Sequence, residues 1–423
     1  MNVRRTLSRR AWLLPILLIV GLAATLPAIY LASTIDPQRH LTDMPVGLVV
    51  EAQDGAATPD YAEGVAAAIE AGTGKTLAIT RMTHDELATA MDDDRIAGAV
   101  VIPADFDTSI ASLFPGASSS TVPTVTIVTN AGDGGLSTGL LVGNLTPALR
   151  GVADGLGKQL LQSTPRSELP AANVALLSQP FDTASRAYKP LPDHAGMGMS
   201  AFYFSLVLVL IGFIGASLTN PLVDSALGFI PSELGPLVAR EPYTAVSRRR
   251  TFLAKVAVLV TAGPFAALAI QLVAAVFGVT VDEPITLWLY STAVIAAIGT
   301  SALAVFAVFG SGIGSLVNTL FFVALAMVSS GGTVPIAATP QFFHLFSVIS
   351  PYRHVVDGTR SLFYFDGNLS AGLGSAWISL AVGGTLGLTL GLVVTTLYGR
   401  VHAFSRHPHE RQADDSAAPR PVT

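Results

Sequence analysis

The chain has 423 residues, of which 51% are hydrophobic and only 13% charged, and its formal net charge is −5. That balance excludes a soluble domain of ordinary composition, makes a membrane protein the leading class, and leaves no nucleic-acid partner to expect. Cysteine is absent, which rules out disulfides, thiol chemistry and Cys-type metal sites.

Residues 1–10 carry Arg4, Arg5, Arg9 and Arg10, and an apolar run over 11–33 follows. A run of that length crosses about 30 Å of hydrocarbon. A secretory signal peptide would also start after arginines and end in small residues, but its apolar core is only about 7–15 residues long. We therefore read 11–33 as an uncleaved anchor.

Residues 34–196 alternate between strand-like and helix-like patterns. Strands are expected at 46–50, 77–80, 97–102 and 122–129, and helices at 61–71, 84–92, 106–113 and 136–161. The alternation predicts a small α/β domain on the exported side. Segments 115–120 and 163–170 read as loops.

Within this domain, Gly74-Lys75-Thr76 ends like a phosphate-binding loop. The complete pattern needs a glycine five positions earlier, where the chain has Ile69. The loop should also follow a strand and open a helix, and here a helix precedes and a strand follows. A helix C-cap at Gly72 or Gly74 beside a solvated Lys75 is the better reading.

Further apolar spans are expected at 197–219, 251–279, 285–309, 313–334 and 373–398. Arg240 and Arg248 to Arg250 fall in the loop 220–250, and Arg400, Arg406 and Arg411 in the tail 400–423, which reads as disordered. With six spans every arginine cluster lies on one side, so both termini are expected in the cytoplasm of a bacterial plasma membrane. The short loop before Pro284 carries only Asp282 and Glu283, as an outside loop should.

Lys255 stands near the start of its span, and the spans are otherwise read as free of ionisable groups, which argues against a proton pump. Gln271 and Asn318 read as interhelical amides. Gly383, Gly387 and Gly391 form two successive G-x-x-x-G steps, expected to pack within the protomer, and Gly310, Gly312 and Gly314 a tight turn.

Between the last two spans, Ser329 to Phe343 is apolar but broken by Gly331, Gly332, Pro335 and Pro340, and Pro351 follows. Irregular backbone at membrane depth must be buried in protein or line a cavity, so helices dipping back from the outer face are expected over 340–365. Arg353, Asp357 and Arg360 share one face if 352–364 is helical. They read as an ion-pair cluster fixing that helix, or as a contact for an anionic substrate.

The order of these features resembles the YhgE/Pip family, part of the wider group of type-2 ABC exporter permeases. The resembling pieces are Met44-Pro-Val-Gly-Leu-Val-Val-Glu-Ala-Gln-Asp-Gly55, Gly98-Ala-Val-Val-Ile-Pro-Ala-Asp-Phe106, Ser330-Gly-Gly-Thr-Val-Pro335, Pro351 and Asp357-Gly-Thr-Arg360. Glu51 to Asp54 departs from the family's usual Asn-x-Asp.

The resemblance implies an α-helical polytopic membrane protein with six transmembrane helices (1 + 5) and an extracytoplasmic α/β domain between helices one and two. It implies a permease subunit that forms a homodimer, or a heterodimer with a similar permease. It also implies a separate cytoplasmic ATPase docking on a coupling helix within 220–250, around Pro231, Glu233 and Gly235. Membrane lipids surround it, and a hydrophobic or amphipathic substrate is moved. The alternative is a non-transporting scaffold or surface receptor whose exported domain binds a partner. No catalytic signature, metal-ligand spacing or cofactor motif stands in the sequence, so no enzyme is expected.

Overall fold

The computed structural model describes residues 9–52, 60–115, 120–164, 170–279 and 281–401, with the side chains of 9–15, 233 and 234 outside the description. Arg4, Arg5 and nearly all of the expected tail lie outside the described residues.

Helix α1 (Arg9–Thr34) leads into the α/β unit. Its elements are β1 (Met44–Val50), α2 (Tyr61–Gly72), β2 (Leu77–Arg81), α3 (His84–Asp92), β3 (Gly98–Ile102), α4 (Phe106–Ser112), β4 (Thr124–Thr129), α5 (Gly135–Ser163), α6 (Ala171–Ser178) and β5 (Asp182–Ala187). The sheet order is β2-β1-β3-β4-β5, with β3 and β4 antiparallel and the other neighbours parallel. The Val- and Ile-rich runs of β1 and β3 are buried on both faces, as central parallel strands require.

Helices α2, α4, α5 and α6 cover one face, where Val46, Leu48, Ile69, Phe106, Ile110 and Leu145 form a core. Helix α3 covers the other, packing Leu87, Ala90 and Met91 on Val49, Ala99 and Val101. Thr83 opens α3 with a capping box: its hydroxyl accepts from Glu86 N, and the Glu86 carboxylate accepts from Thr83 N at 2.8 Å. At the end of α2, Gly74 takes a left-handed φ of 57° just past the C-cap Thr73, and strand β2 follows. The helix-then-strand order that counts against a phosphate loop is therefore present.

The remaining elements are α7 (Met199–Ala226), strands β6 (Ser232–Leu234) and β7 (Leu237–Ala239), α8 (Arg248–Val276), α9 (Pro284–Asn318, continued by π-helical turns to Leu325 and a last turn to Val328), α10 (Gln341–Ile349), α11 (Pro351–Tyr364) and α12 (Gly374–Arg400, preceded by a turn at Leu369–Leu373). Among the described residues, five helical segments are long and apolar enough to cross a membrane: Ile16–Thr34, Met199–Ala226, Arg248–Val276, Pro284–Val328 and Leu369–Arg400.

The fourth segment is not straight. Gly310 breaks it with φ 76° and ψ 177°, and the Asn318 amide then donates to Ala302 O at 3.2 Å. Sixteen residues of continuous helix would separate those atoms by about 24 Å, so the chain doubles back at Gly310, the turn expected of the glycine cluster. Inside the bundle, Gly387 of α12 faces Ser301 of α9, Gly391 faces Phe252 of α8, and Ser301 Oγ donates to Gly383 O at 3.2 Å. The glycine stripe of α12 packs within the protomer.

Two expectations change. Residues 220–250 contain no coupling helix: α7 runs on to Ala226, and β6 and β7 form an antiparallel hairpin across Leu234-Gly235-Pro236-Leu237. The spans are not free of charge, because α7 extends past 219 and brings Asp224 to Lys255 (2.8 Å). Helix α6 and strand β5 stand in 171–187, where no element was expected.

Candidate site at the junction of the α/β domain and the helices

Helix α11 starts at Pro351, whose fixed φ suits a first helical position, and places Arg353, Asp357 and Arg360 on one face. The structure adds what the spacing could not show, namely where that face points. Arg360, with a side chain only 5% exposed, reaches residues 131–134 of the α/β domain. Its Nη2 donates to Asp133 O at 2.7 Å and to Gly331 O at 3.3 Å, and its Nη1 lies 3.8 Å from Asp133 Oδ1. One guanidinium thus joins α11, the loop after Val328 and the α/β domain. Arg353 stays on its own side, donating to Ser347 Oγ at 3.0 Å with Asp357 at 3.8 Å. The three predicted residues share a wall, and only Arg360 crosses the junction.

A second carboxylate meets Asp133. Helix α3 ends in a Schellman motif, with Arg95 N donating to Ala90 O and Asp94 N to Met91 O, so Asp94 sits at the left-handed position (φ 52°) where glycine is usual. This backbone carries the Asp94 carboxylate toward Asn130, whose amide donates to Asp94 Oδ1 at 2.9 Å, and into hydrogen-bond contact with the Asp133 carboxyl. Burial and the neighbouring Asp133 charge push the Asp94 carboxyl well above the usual carboxylate range, against the pull of Arg360. Burial also raises Asp133, while Arg360 and the Ser137 hydroxyl oppose the rise. Two carboxyls in contact cannot both ionise cheaply, so each raises the cost of ionising the other.

The cluster lines a cavity of about 560 Å³ between the domain and the helices, bounded also by Asp43, Asp93 and Arg95 and by the chain at Gly331 and Gly372. Around it the two parts are tied by further bonds. The Asn368 amide donates to Asp92 O and Asp93 Oδ1, both at 3.0 Å. Lys189 bridges Asp92 at 2.9 Å and Asp366 at 3.4 Å, and Thr42 N donates to Ala337 O at 2.9 Å. Val334 and Ala338, from the loop after α9, join the domain core. The cavity can hold a proton, offer acceptors to a cation, and present a buried guanidinium to an acceptor.

At the opposite end of the bundle, Lys255 Nζ donates to Asn220 Oδ1 at 2.7 Å beside its contact with Asp224. The pair joins α7 to α8 next to the β6–β7 hairpin, beside a cavity of about 360 Å³. Of the expected coupling residues, Pro231 precedes β6, Glu233 lies in it, and Gly235 supplies the turn with φ 60°. Leu237 and Val238 are 71% and 68% exposed.

Sequence reading missed Asp94, Asp133, Asp224 and the hairpin. The available signals were the acidic run Asp92 to Asp94 after a helix, the turn-forming Asn130-Ala-Gly-Asp-Gly134, and Gly235-Pro236 between two short strand-like pieces. Among the described residues no group of His, Asp or Glu has the arrangement of a metal site. Compared with known proteins, residues 14–382 match the model of a family described as "Protein of unknown function (DUF3533)". No curated protein and no solved structure matches.

Proposed function

The chain belongs to the DUF3533 family, and we propose that this member is an ABC-exporter-like permease subunit of the bacterial plasma membrane. It moves a hydrophobic or amphipathic substrate and is powered by a separate cytoplasmic ATPase. Counting the two arms of α9 on either side of Gly310 separately gives six spans, an even number that keeps both termini on one side, and on this reading the arginine clusters make that side the cytoplasm and leave the α/β domain outside. The observation that carries the reading is the opposition of two features along α7. One end of this helix meets the α/β domain, where Gly198, the residue before α7, lies so close to Ala131 and Gly134 that a Cβ there would stand 3.0 Å from Ala131 O and 2.8 Å from Gly134 Cα. The other end, about 42 Å away at 1.5 Å per residue, leads into the exposed β6–β7 hairpin and the buried Asp224–Lys255 pair. A helix bundle bridging an outer domain and an exposed inner hairpin is the layout that an ATP-driven permease needs.

A second reading, a surface receptor, draws on a groove of about 660 Å³ between α2 and α5, lined by Gly64, Ala68, Gly151 and Gly155.

Because the chain lacks cysteine, single-cysteine labelling tests the topology cleanly. Lys75→Cys should react with an impermeant maleimide added to intact cells, and Leu237→Cys only after permeabilisation. Labelling of Leu237→Cys in intact cells overturns the reading.

A further inference from the structure

Helix α9 has two arms, and the second is built differently from the first. It begins after Gly310, where φ is 76°, and ends before Gly331, where φ is 71°. Glycine adopts positive φ without strain, and backbone of this kind at an element's end is where hinges form. The arm over 311–330 thus has a pivot at each end. Between the pivots, Thr319–Leu325 is π-helical, a rare geometry that gathers at functional sites. A cavity adjoins each pivot as well: the one of about 360 Å³ is lined by Gly310 and Ser311, and the one of about 560 Å³ by Ser330 and Gly331.

Buried polar groups tie the inner pivot to the hairpin. The hairpin stands on a stem in which Thr244 N donates to Leu227 O at 3.0 Å and the rings of Phe229 and Tyr243 lie 5.6 Å apart. At the foot of the stem, Lys255 Nζ holds Asp224 Oδ1 at 2.8 Å and donates to Asn220 Oδ1 at 2.7 Å. The other end of the same amide, Asn220 Nδ2, donates to Ser311 Oγ at 3.0 Å. Lys255 and Asn220 are both buried, which strengthens these bonds. An unbroken polar chain therefore runs from the hairpin base to the first residue of the arm. The outer pivot is held by Arg360, which donates to Gly331 O and to Asp133 O of the α/β domain.

We propose that the second arm of α9, residues 311–330, is a rod that carries displacement of the β6–β7 hairpin to the α/β domain, gripped at its inner end by Asn220 and at its outer end by Arg360. The first arm is the fixed wall beside it: Ile298 packs on Gly212 of α7, Gly299 on Leu259 of α8, and Ser301 on Gly387 of α12. Among the described residues one side-chain hydrogen bond joins the two arms, from Asn318 to Ala302 O at 3.2 Å, so little polar contact opposes their relative motion. The rod's function rests on the permease reading, in which an ATPase moves the hairpin; the mechanical link does not.

The test first uses the full-length chain in lipid nanodiscs without any ATPase. Ser329, at the outer end of the rod, and Ser291, in the first arm, are buried hydroxyls with no hydrogen-bond partner among the described residues. Ser329→Cys and Ser291→Cys each therefore place a single cysteine in the chain without losing a hydrogen bond, and the rate of labelling by a small methanethiosulfonate reports how often each site opens. Asn220→Leu, which cuts the polar chain to the rod, should speed labelling at Ser329→Cys by about 10- to 100-fold and leave Ser291→Cys within about threefold. Ser311→Ala, which removes one hydrogen bond, should speed Ser329→Cys by about 2- to 10-fold and decides the matter should Asn220→Leu fail to fold. Thr395→Val, in the same inner cavity but bonded to its own helix at Gly391 O, should change neither rate. Equal acceleration at both cysteines, the mark of general loosening, overturns the proposal, as does an unchanged rate at Ser329→Cys. With the cognate ATPase added, a non-hydrolysable ATP analogue should shift the Ser329→Cys rate, and Asn220→Leu should abolish that shift while the ATPase stays bound. A chain that passes the first test but ignores the ATPase sinks the permease reading alone. Stimulated hydrolysis with both cysteines responding alike sinks the rod alone.

Discussion

Arg360 is the residue whose removal should most weaken the grip between the α/β domain and the helices. Arg360→Ala deletes two charge-assisted hydrogen bonds, at 2.7 Å to Asp133 O and 3.3 Å to Gly331 O. It also leaves the Asp94–Asp133 pair without its nearest cation. Breaking a buried pair from one side costs about 3–5 kcal/mol. Asp133→Asn costs less, because the backbone carbonyl still accepts and the repulsion with Asp94 is relieved. At 3.8 Å the gross attraction between the two side chains is about 4 kcal/mol at an effective dielectric constant of about 20, so desolvation leaves a coupling of roughly 1–3 kcal/mol. The assay is native-state proteolysis of the connections that leave the domain, residues 35–43 and 188–198, whose cleavage rate follows the undocked population. Arg360→Ala should raise that rate by roughly two to four orders of magnitude, and Arg360→Lys by less, since the charge stays while the fork is lost. A rate within about threefold of wild type, or a double-mutant cycle with Asp133→Asn additive within about 0.5 kcal/mol, would refute the reasoning.

Two further outcomes follow from local geometry. A Cβ at Gly358 would stand 2.5 Å from Tyr290 Oη and 2.6 Å from Ala376 Cβ, and Tyr290 is fully buried with its hydroxyl donating to Val355 O. Gly358→Ala should therefore destabilise by about 1–3 kcal/mol, against the roughly 0.5–1 kcal/mol that alanine normally gains in a helix. Gly383→Ala, with nothing within 4 Å of the added atom, should be neutral or slightly stabilising; parallel denaturant unfolding compares them. The Asp94 carboxyl is raised in the folded state, so the folded chain holds a proton that the unfolded chain has lost above its pKa of about 4. Stability should accordingly fall as pH rises from about 4 toward the raised value and level off above it. Asp94→Asn should flatten that slope in melts at stepped pH, and an unchanged slope would show that another group titrates.

Most of the α/β domain was legible because burial leaves a mark on sequence. The runs Val46 to Val50 and Ala97 to Ile102 are apolar without alternation, as strands covered on both faces must be, and Thr83 with Glu86 announces a helix start. Strand β5 was not legible: Asp182 to Ala187 is an edge strand, mostly exposed, held by backbone pairing to β4 rather than by apolar side chains. The face of α11 bearing Arg353, Asp357 and Arg360 could be read from spacing, but the partner of Arg360 lies 227 residues away, a separation that no local pattern encodes. The Asp224–Lys255 pair was hidden for a related reason. A polar helix end looks like loop until packing shows that its aspartate is buried against a lysine. The hairpin displaced the expected coupling helix because Gly235, at φ 60°, followed by Pro236 favours a turn over helix.

The central claim, that an ATPase acts through this chain, is tested most directly at the hairpin. With the cognate ATPase co-reconstituted in nanodiscs, its hydrolysis rate is measured for the wild-type chain and for one in which residues 232–239 are replaced by a Gly-Ser linker of equal length. The account predicts that the linker abolishes both co-purification and the permease-dependent part of hydrolysis. Undiminished binding and hydrolysis with the linker in place would contradict it.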